Sequence, residues 1–261
     1  YNTVLTIAGS DCSGGAGIQA DIKAISALGG YAASAITAVT VQNTVGVTAV
    51  HPVPADIVEG QIRAVLDDKA IKIGMLQSAD IVHLIARLIK EYDIRNVVLD
   101  PVMVSTSGHR LIEETAISAL QTELIPLTRV ITPNIPEAEI LLDGNAITLQ
   151  EDMPQAVKAL SQRYHTSVLL KAGHLTEDNL VDYFYDAEQD ELTLLPSVRV
   201  HTRNTHGTGC TMSSAFATLL AQGNTLQQSA KGAKEYISQA IIAGADYDIG
   251  KGHGPVNHFF R

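Results

Sequence analysis

The run Thr205 to Cys210, THGTGC, places two glycines around a threonine and sets a thiol at the start of a helix-like segment, TMSSAFATLL. Successive backbone N–H groups in such a turn converge, and the helix behind them adds its positive end. Gly207, Thr208 and Gly209 are therefore expected to form an anion hole. Cys210, on the first helical turn, is expected to have a lowered pKa, which suits a base or nucleophile beside developing negative charge. The same pattern fits a small buried residue at a helix start equally well. Asp100 in LDPVM, and Asn134 with Glu137 in TPNIPE, supply oxygen ligands of the kind Mg²⁺ takes in nucleotide sites. A strand-end cap for Asp100 and a carboxylate favoured at a helix start for Glu137 are the plainer alternatives. Lys171 ends the apolar run LLK, where a charge needs a partner: a bound phosphate, or a structural carboxylate.

A second glycine cluster, AGSDCSGGAGIQAD, spans Ala8 to Asp21. Gly15, Gly17 and Ala20 match the G-x-G-x-x-A pattern of dinucleotide sites, but the next strand ends in Gln42-Asn43 rather than in the acid that would hold a ribose. A turn that lets a helix pack close to a sheet is the better reading. A third reading lets a substrate approach the backbone at Gly14 and Gly15, with Asp21 accepting hydrogen bonds from its amine or hydroxyl. No G-x-x-x-x-G-K-[ST] occurs, which excludes a P-loop, and no H-x-x-x-H spacing offers a zinc site. His206 borders the anion loop and lines the expected site; His253 and His258 read as surface residues.

These clusters need a scaffold that brings them together. Short apolar runs (VLTIAG, AASAITAVTVQN, AIKIGML, NVVLDPV, RVITPN, SVLLKAG) alternate with segments of helical spacing, and DYFYD with ELTLLPSVRV reads as an antiparallel hairpin. That alternation predicts a mostly parallel sheet with helices on both faces, and ligands beyond the carboxyl ends of its strands. Every cluster named above follows a predicted strand. The 261 residues suit one large α/β domain or two small ones, and 46% apolar content supports a packed core. A net charge of −10 argues against nucleic acid or an anionic membrane as the main partner. Cys12 and Cys210 make no disulfide framework, no leader or bilayer-length apolar run is seen, and a cytoplasmic protein is expected.

In order along nearly the whole chain, the segments LTIAGSDCSGGAGIQADIKAISALGG, VTVQNTVGV, KIGML, VVLDPVMVSTSGHRL, ITPNIPEAEILL, KAGH and NTHGTGCTMSSAFA resemble the hydroxymethylpyrimidine/phosphomethylpyrimidine kinases of thiamine biosynthesis. The resemblance implies a single ribokinase-like kinase domain over residues 1–261. Its fold would be a three-layer α/β/α sandwich with a mostly parallel sheet, an antiparallel edge hairpin and no separate lid. It implies ATP and Mg²⁺, two successive phosphorylations of an aminopyrimidine, and a homodimer. Cys210 takes the place of the aspartate base of sugar kinases in that fold. Asp21 and Gln42 would meet the aminopyrimidine edge, with Gly9, Met75 and Val104 around the ring. Asn134, Lys171 and Thr208 would serve the ATP phosphates, and Asp100 and Glu137 the metal. Cys12 stands where relatives often have proline, Ala172 where they have glycine, and Thr106 where some have lysine. A pyridoxal kinase of the same subfamily is the nearest rival, disfavoured by Gln42 in VTVQNTVGV. A Rossmann oxidoreductase and a non-catalytic ligand sensor stand further off.

Overall fold

The computed structural model describes residues 1–66, 70–103 and 112–260. Val104 and Thr106 lie outside the described residues. In chain order the elements are β1 (Thr3–Asp11), α1 (Gly17–Ala27), β2 (Tyr31–Gln42), β3 (Val47–Pro52), α2 (Ala55–Val65), β4 (Ala70–Ile73), α3 (Ala79–Glu91) and β5 (Val97–Leu99). Then come α4 (Glu114–Ala119), β6 (Val130–Ile131), α5 (Ile135–Leu141), α6 (Met153–Tyr164), β7 (Ser167–Leu170), β8 (Asn179–Asp186), β9 (Glu191–Val198), α7 (Thr208–Ala221) and α8 (Leu226–Gly244).

Among the described residues all nine strands join one sheet, in the order β3-β2-β1-β4-β5-β6-β7-β8-β9. From β2 to β7 the neighbours are parallel, while β3 and the β8–β9 hairpin add antiparallel edges. The hairpin is where the sequence predicts it. The opposite edge, β3, lies outside that prediction: only Val47 of VTAVHP is buried, so the run carries no alternating apolar signal.

Strand side chains alternate between two cores. Leu5, Ile7, Val97, Leu99, Ile131, Val168 and Leu170 face α2, α3, α5 and α6. Val4, Val98, Val130 and Leu169 face α1, α7 and α8. Period-2 alternation thus produces the three-layer sandwich. Helix α3 shows the matching period: Ile81, Leu84, Ile85, Leu88 and Ile89 form one buried stripe, each contributing about 1.5–3 kcal/mol by leaving water. No helix among the described residues is long and apolar enough to cross a membrane.

One expectation is corrected here. His258 is buried, not superficial: its Nε2 lies 3.0 Å from Thr211 Oγ1, and its backbone carbonyl accepts from Tyr236 Oη. Burial, aided by Lys23, pushes its pKa down to about 4, so it stays neutral and ties the C-terminal segment to α7 and α8. His253 is exposed.

Candidate active site

The carboxyl ends of β1, β2, β4, β5, β6 and β7 and the start of α7 surround a cleft of about 750 Å³. Gly9, Gln42, Met75, Asp100, Asn134, Glu137, Lys171, Gly207, Thr208, Gly209 and Cys210 all line it.

The loop before α7 is anchored from below. Asn204 is fully buried, and its Nδ2 lies 2.9, 3.0 and 2.8 Å from the carbonyl oxygens of Gly244, Ala245 and Tyr247. His206 N donates to Gly254 O at 3.0 Å. Gly207 then caps α7 with φ +79°, and a Cβ there would collide with the Gly15 carbonyl, so only glycine fits where the two glycine loops touch. At Gly209 a Cβ would sit 3.2 Å from Lys171 Nζ and 3.3 Å from Asp100 Oδ2. The helix start is therefore pressed against the charged groups at the ends of β5 and β7.

Lys171 Nζ donates to Asp100 Oδ1 at 2.8 Å, and Thr132 Oγ1 donates to the same oxygen at 2.9 Å. The structural partner that the sequence reading weighed against a phosphate is present. Burial works against the Lys171 charge, but Asp100 and Glu137 outweigh it and hold the pKa above the ordinary lysine value. Asn134 and Glu137 close a capping box on α5: Glu137 N donates to Asn134 Oδ1, and Asn134 N to Glu137 Oε2, both at 2.9 Å. Burial pushes Glu137 up to about 7; Lys171 pulls against it, and Asp100 adds to the rise. Two carboxyl groups thus share one ammonium.

Cys210 is half-buried and opens on the cleft. Its expected low pKa is not found. Burial pushes the thiol up to about 11; Lys72 and a hydrogen bond from Gly17 N–H pull it down, and Asp21 and Asp100 push it up. The helix start loses to desolvation and to two nearby carboxylates.

Asp21 also departs from its expected place. It is fully buried and absent from the cleft wall. Its carboxylate takes Lys72 Nζ at 2.9 Å on each oxygen, Thr6 Oγ1 at 2.6 Å and Ser214 Oγ at 2.7 Å. With an ammonium and two hydroxyls on it, it has no room for a substrate amine. Lys72, also fully buried, is its partner. Burial opposes the Lys72 charge, yet Asp21 holds the pKa above the ordinary value. Lys72 stands inside the apolar run AIKIG, so the reasoning applied to Lys171, that a strand charge demands a partner, would have found it.

Asp11 is the other residue that the sequence reading missed, although it is the last residue of β1, in GSDCSGG. It is buried, with Ser13 N (2.9 Å) and Ser13 Oγ (2.7 Å) on Oδ1, and Ala16 N (2.8 Å) and His206 Nε2 (2.7 Å) on Oδ2. Burial opposes its charge, but the hydrogen bonds from His206, Ser13 and Ala16 prevail and lower the pKa from 3.8 to about 2. A carboxylate held more strongly in the folded state stabilises the fold above its unfolded pKa and loses that effect as pH falls through the folded value. Asp11→Asn is therefore expected to cost about 2 kcal/mol at neutral pH. Denaturant titrations should show the gap from wild type closing between about pH 4 and pH 2; a gap independent of pH would contradict the assignment.

A family model described as phosphomethylpyrimidine kinase matches residues 11–257. A Rhizobium meliloti protein named hydroxymethylpyrimidine/phosphomethylpyrimidine kinase is 49% identical, covering 98% of this chain and 97% of its own. A solved phosphomethylpyrimidine kinase from Clostridium difficile superposes with a TM-score of 0.81 at 40% identity, covering 92% of this chain and 100% of its own. The ADP complex of Bacillus subtilis pyridoxal kinase superposes with a TM-score of 0.89 at 36% identity, covering 98% and 97%.

Proposed function

The chain belongs to the phosphomethylpyrimidine kinase family, and on that premise we propose that it is a bifunctional kinase of thiamine biosynthesis. It uses ATP to phosphorylate 4-amino-5-hydroxymethyl-2-methylpyrimidine to the monophosphate, and then the monophosphate to the diphosphate. The observation that carries this reading is the meeting of the Gly207–Cys210 turn with Lys171 and Asp100 in the cleft that Gln42 and Met75 also line.

Phosphoryl transfer asks for position and for charge stabilisation more than for covalent chemistry. The N–H groups of Gly207, Thr208 and Gly209, at the positive end of α7, receive charge developing on the transferred group. Lys171 adds a fixed cation beside them, and Asn134 holds its end of the phosphate site by capping α5. Cys210 rests as a neutral thiol, and its Sγ meets the substrate hydroxyl as a hydrogen-bond partner. Gln42 offers an amide to the ring nitrogen and amine of the pyrimidine, and Met75 packs on the ring beside Gly9.

Asp100 and Glu137 fit a divalent cation. Their carboxyl groups outnumber the one ammonium between them, and both bonds on Asp100 fall on Oδ1, leaving Oδ2 turned toward Gly209. Among the described residues no cluster of three or more His, Cys, Asp or Glu forms a protein-only metal cage. That suits Mg²⁺, which takes one or two carboxylates together with water and phosphate oxygens. When bound it would neutralise charge on the ATP phosphates. The proposal includes a homodimer, supported by the exposed valines Val39 and Val41 near the sheet edge, and a cytoplasmic setting, which suits free thiols at Cys12 and Cys210.

An assay of ADP release tests the reading. Wild type should turn over both pyrimidines, and Gln42→Ala should lose roughly ten- to a hundredfold in kcat/KM, the worth of one or two directional hydrogen bonds. Turnover of pyridoxal alone would move the protein to the rival activity.

A further inference from the structure

Gln42 is held from three sides. Its backbone meets Cys12 Sγ, which lies 3.0 Å from Gln42 O and 3.4 Å from Gln42 N. Its side-chain Nε2 lies 3.4 Å from His206 Nε2, and its Oε1 lies 3.2 Å from Thr40 Oγ1. His206 is buried with its ring on the backbone of Gly15, where any Cβ would collide with it, and its Nε2 lies 2.7 Å from Asp11 Oδ2.

Hydrogen counting decides which end of the amide faces which neighbour. Asp11 is ionised and only accepts, so the His206 Nε2 proton points at Asp11 and Nε2 has no lone pair to give. An amide nitrogen facing Nε2 would set two donors against each other. Thr40 Oγ1 has one proton, and it goes to Ser10 O at 2.7 Å. Toward Gln42 that hydroxyl can therefore only accept. Both neighbours therefore favour the amide turned by 180°, which exchanges Nε2 and Oε1 at the same two positions: oxygen toward His206, nitrogen toward Thr40.

We propose that Asp11 and His206 are positioning residues for substrate selection: Asp11 keeps His206 Nε2 a donor, which turns the Gln42 amide nitrogen away and fixes the amide's orientation, and with it the order of donor and acceptor that the substrate edge must match. The inference rests on the kinase reading above, and it names what makes that site choose an aminopyrimidine. An amide held this way keeps one N–H and one oxygen lone pair for the ligand. A ring nitrogen beside an exocyclic amine satisfies both. A ring N–H beside a carbonyl, the edge of the 4-oxo analogue, presents the reverse order and leaves both ends unpaired.

The test compares kcat/KM for the 4-amino compound and its 4-oxo analogue in wild type, Asp11→Asn and His206→Phe. In Asp11→Asn an amide replaces the carboxylate, so the histidine is no longer held as a donor; His206→Phe keeps the flat ring on Gly15 and removes the N–H. Wild type should discriminate strongly for the 4-amino compound, and the variants should lose at least about tenfold of that ratio, with the loss in KM for the pyrimidine rather than for ATP. A purely structural role, loosening the two glycine loops, would slow both compounds alike and leave the ratio unchanged; that result overturns the proposal. If one variant does not fold, the other carries the same comparison. A wild type that phosphorylates both compounds equally overturns this inference and leaves the kinase reading standing, whereas one that phosphorylates neither takes both down.

Discussion

Cys210→Ala is expected to slow the first phosphorylation about a hundredfold and the second by no more than about threefold. The two steps share ATP, the anion hole and Lys171, and differ in the acceptor. In the first it is a neutral hydroxymethyl group that must be aligned and must shed a proton. In the second it is a phosphate already ionised at neutral pH, which needs no such partner. Desolvation and the carboxylates of Asp21 and Asp100 push the thiol up to about 11, so it rests protonated at pH 7. The sulfur therefore acts through position, in a loose transition state that asks little of a base. Cys210→Ser keeps a hydrogen-bonding atom at the same place and should recover part of the first step. Separate single-turnover measurements with each pyrimidine read this directly; equal losses in both steps would contradict it.

Asp21→Ala is expected to destabilise the protein by about 3–5 kcal/mol, enough to threaten the fold of a domain this size. The substitution leaves the Lys72 ammonium, fully buried, without its carboxylate, and leaves the Thr6 and Ser214 hydroxyls without their acceptor. An unpaired ion in the interior costs far more than an ion pair contributes. Asp21→Asn/Lys72→Met, which removes both charges at similar volume, should therefore be more stable than Asp21→Ala alone. Denaturant unfolding of wild type, Asp21→Ala, the double variant and its two single variants, Asp21→Asn and Lys72→Met, reads the difference. A double variant as unstable as the sum of its single variants would contradict the pairing.

Much of the fold was legible because its signals are periodic. Strands buried on both faces read as apolar runs, and α3 reads as a stripe at helical spacing, so the parallel sheet, the two helical layers and the β8–β9 hairpin follow from pattern. The β3 edge was illegible because solvent, not a core, meets most of its side chains. The cleft was legible in part because strand ends collect at one edge of a parallel sheet. What pattern cannot give is which side of that edge a side chain takes. Asp21, one helical turn into α1, points down into Lys72 rather than up at the ligand. Asp11 and His206, 195 residues apart, become partners only in three dimensions. The acidity of Cys210 likewise depends on four distant groups that no local spacing records.

A single time course tests the central claim most directly. With purified protein, excess ATP and Mg²⁺, and 4-amino-5-hydroxymethyl-2-methylpyrimidine as the only acceptor, ³¹P NMR should show a monoester resonance rise and then give way to the two resonances of a diphosphate. A monoester that accumulates without conversion would remove the second activity. No phosphorylated pyrimidine at all, with pyridoxal consumed under the same conditions, would contradict the account.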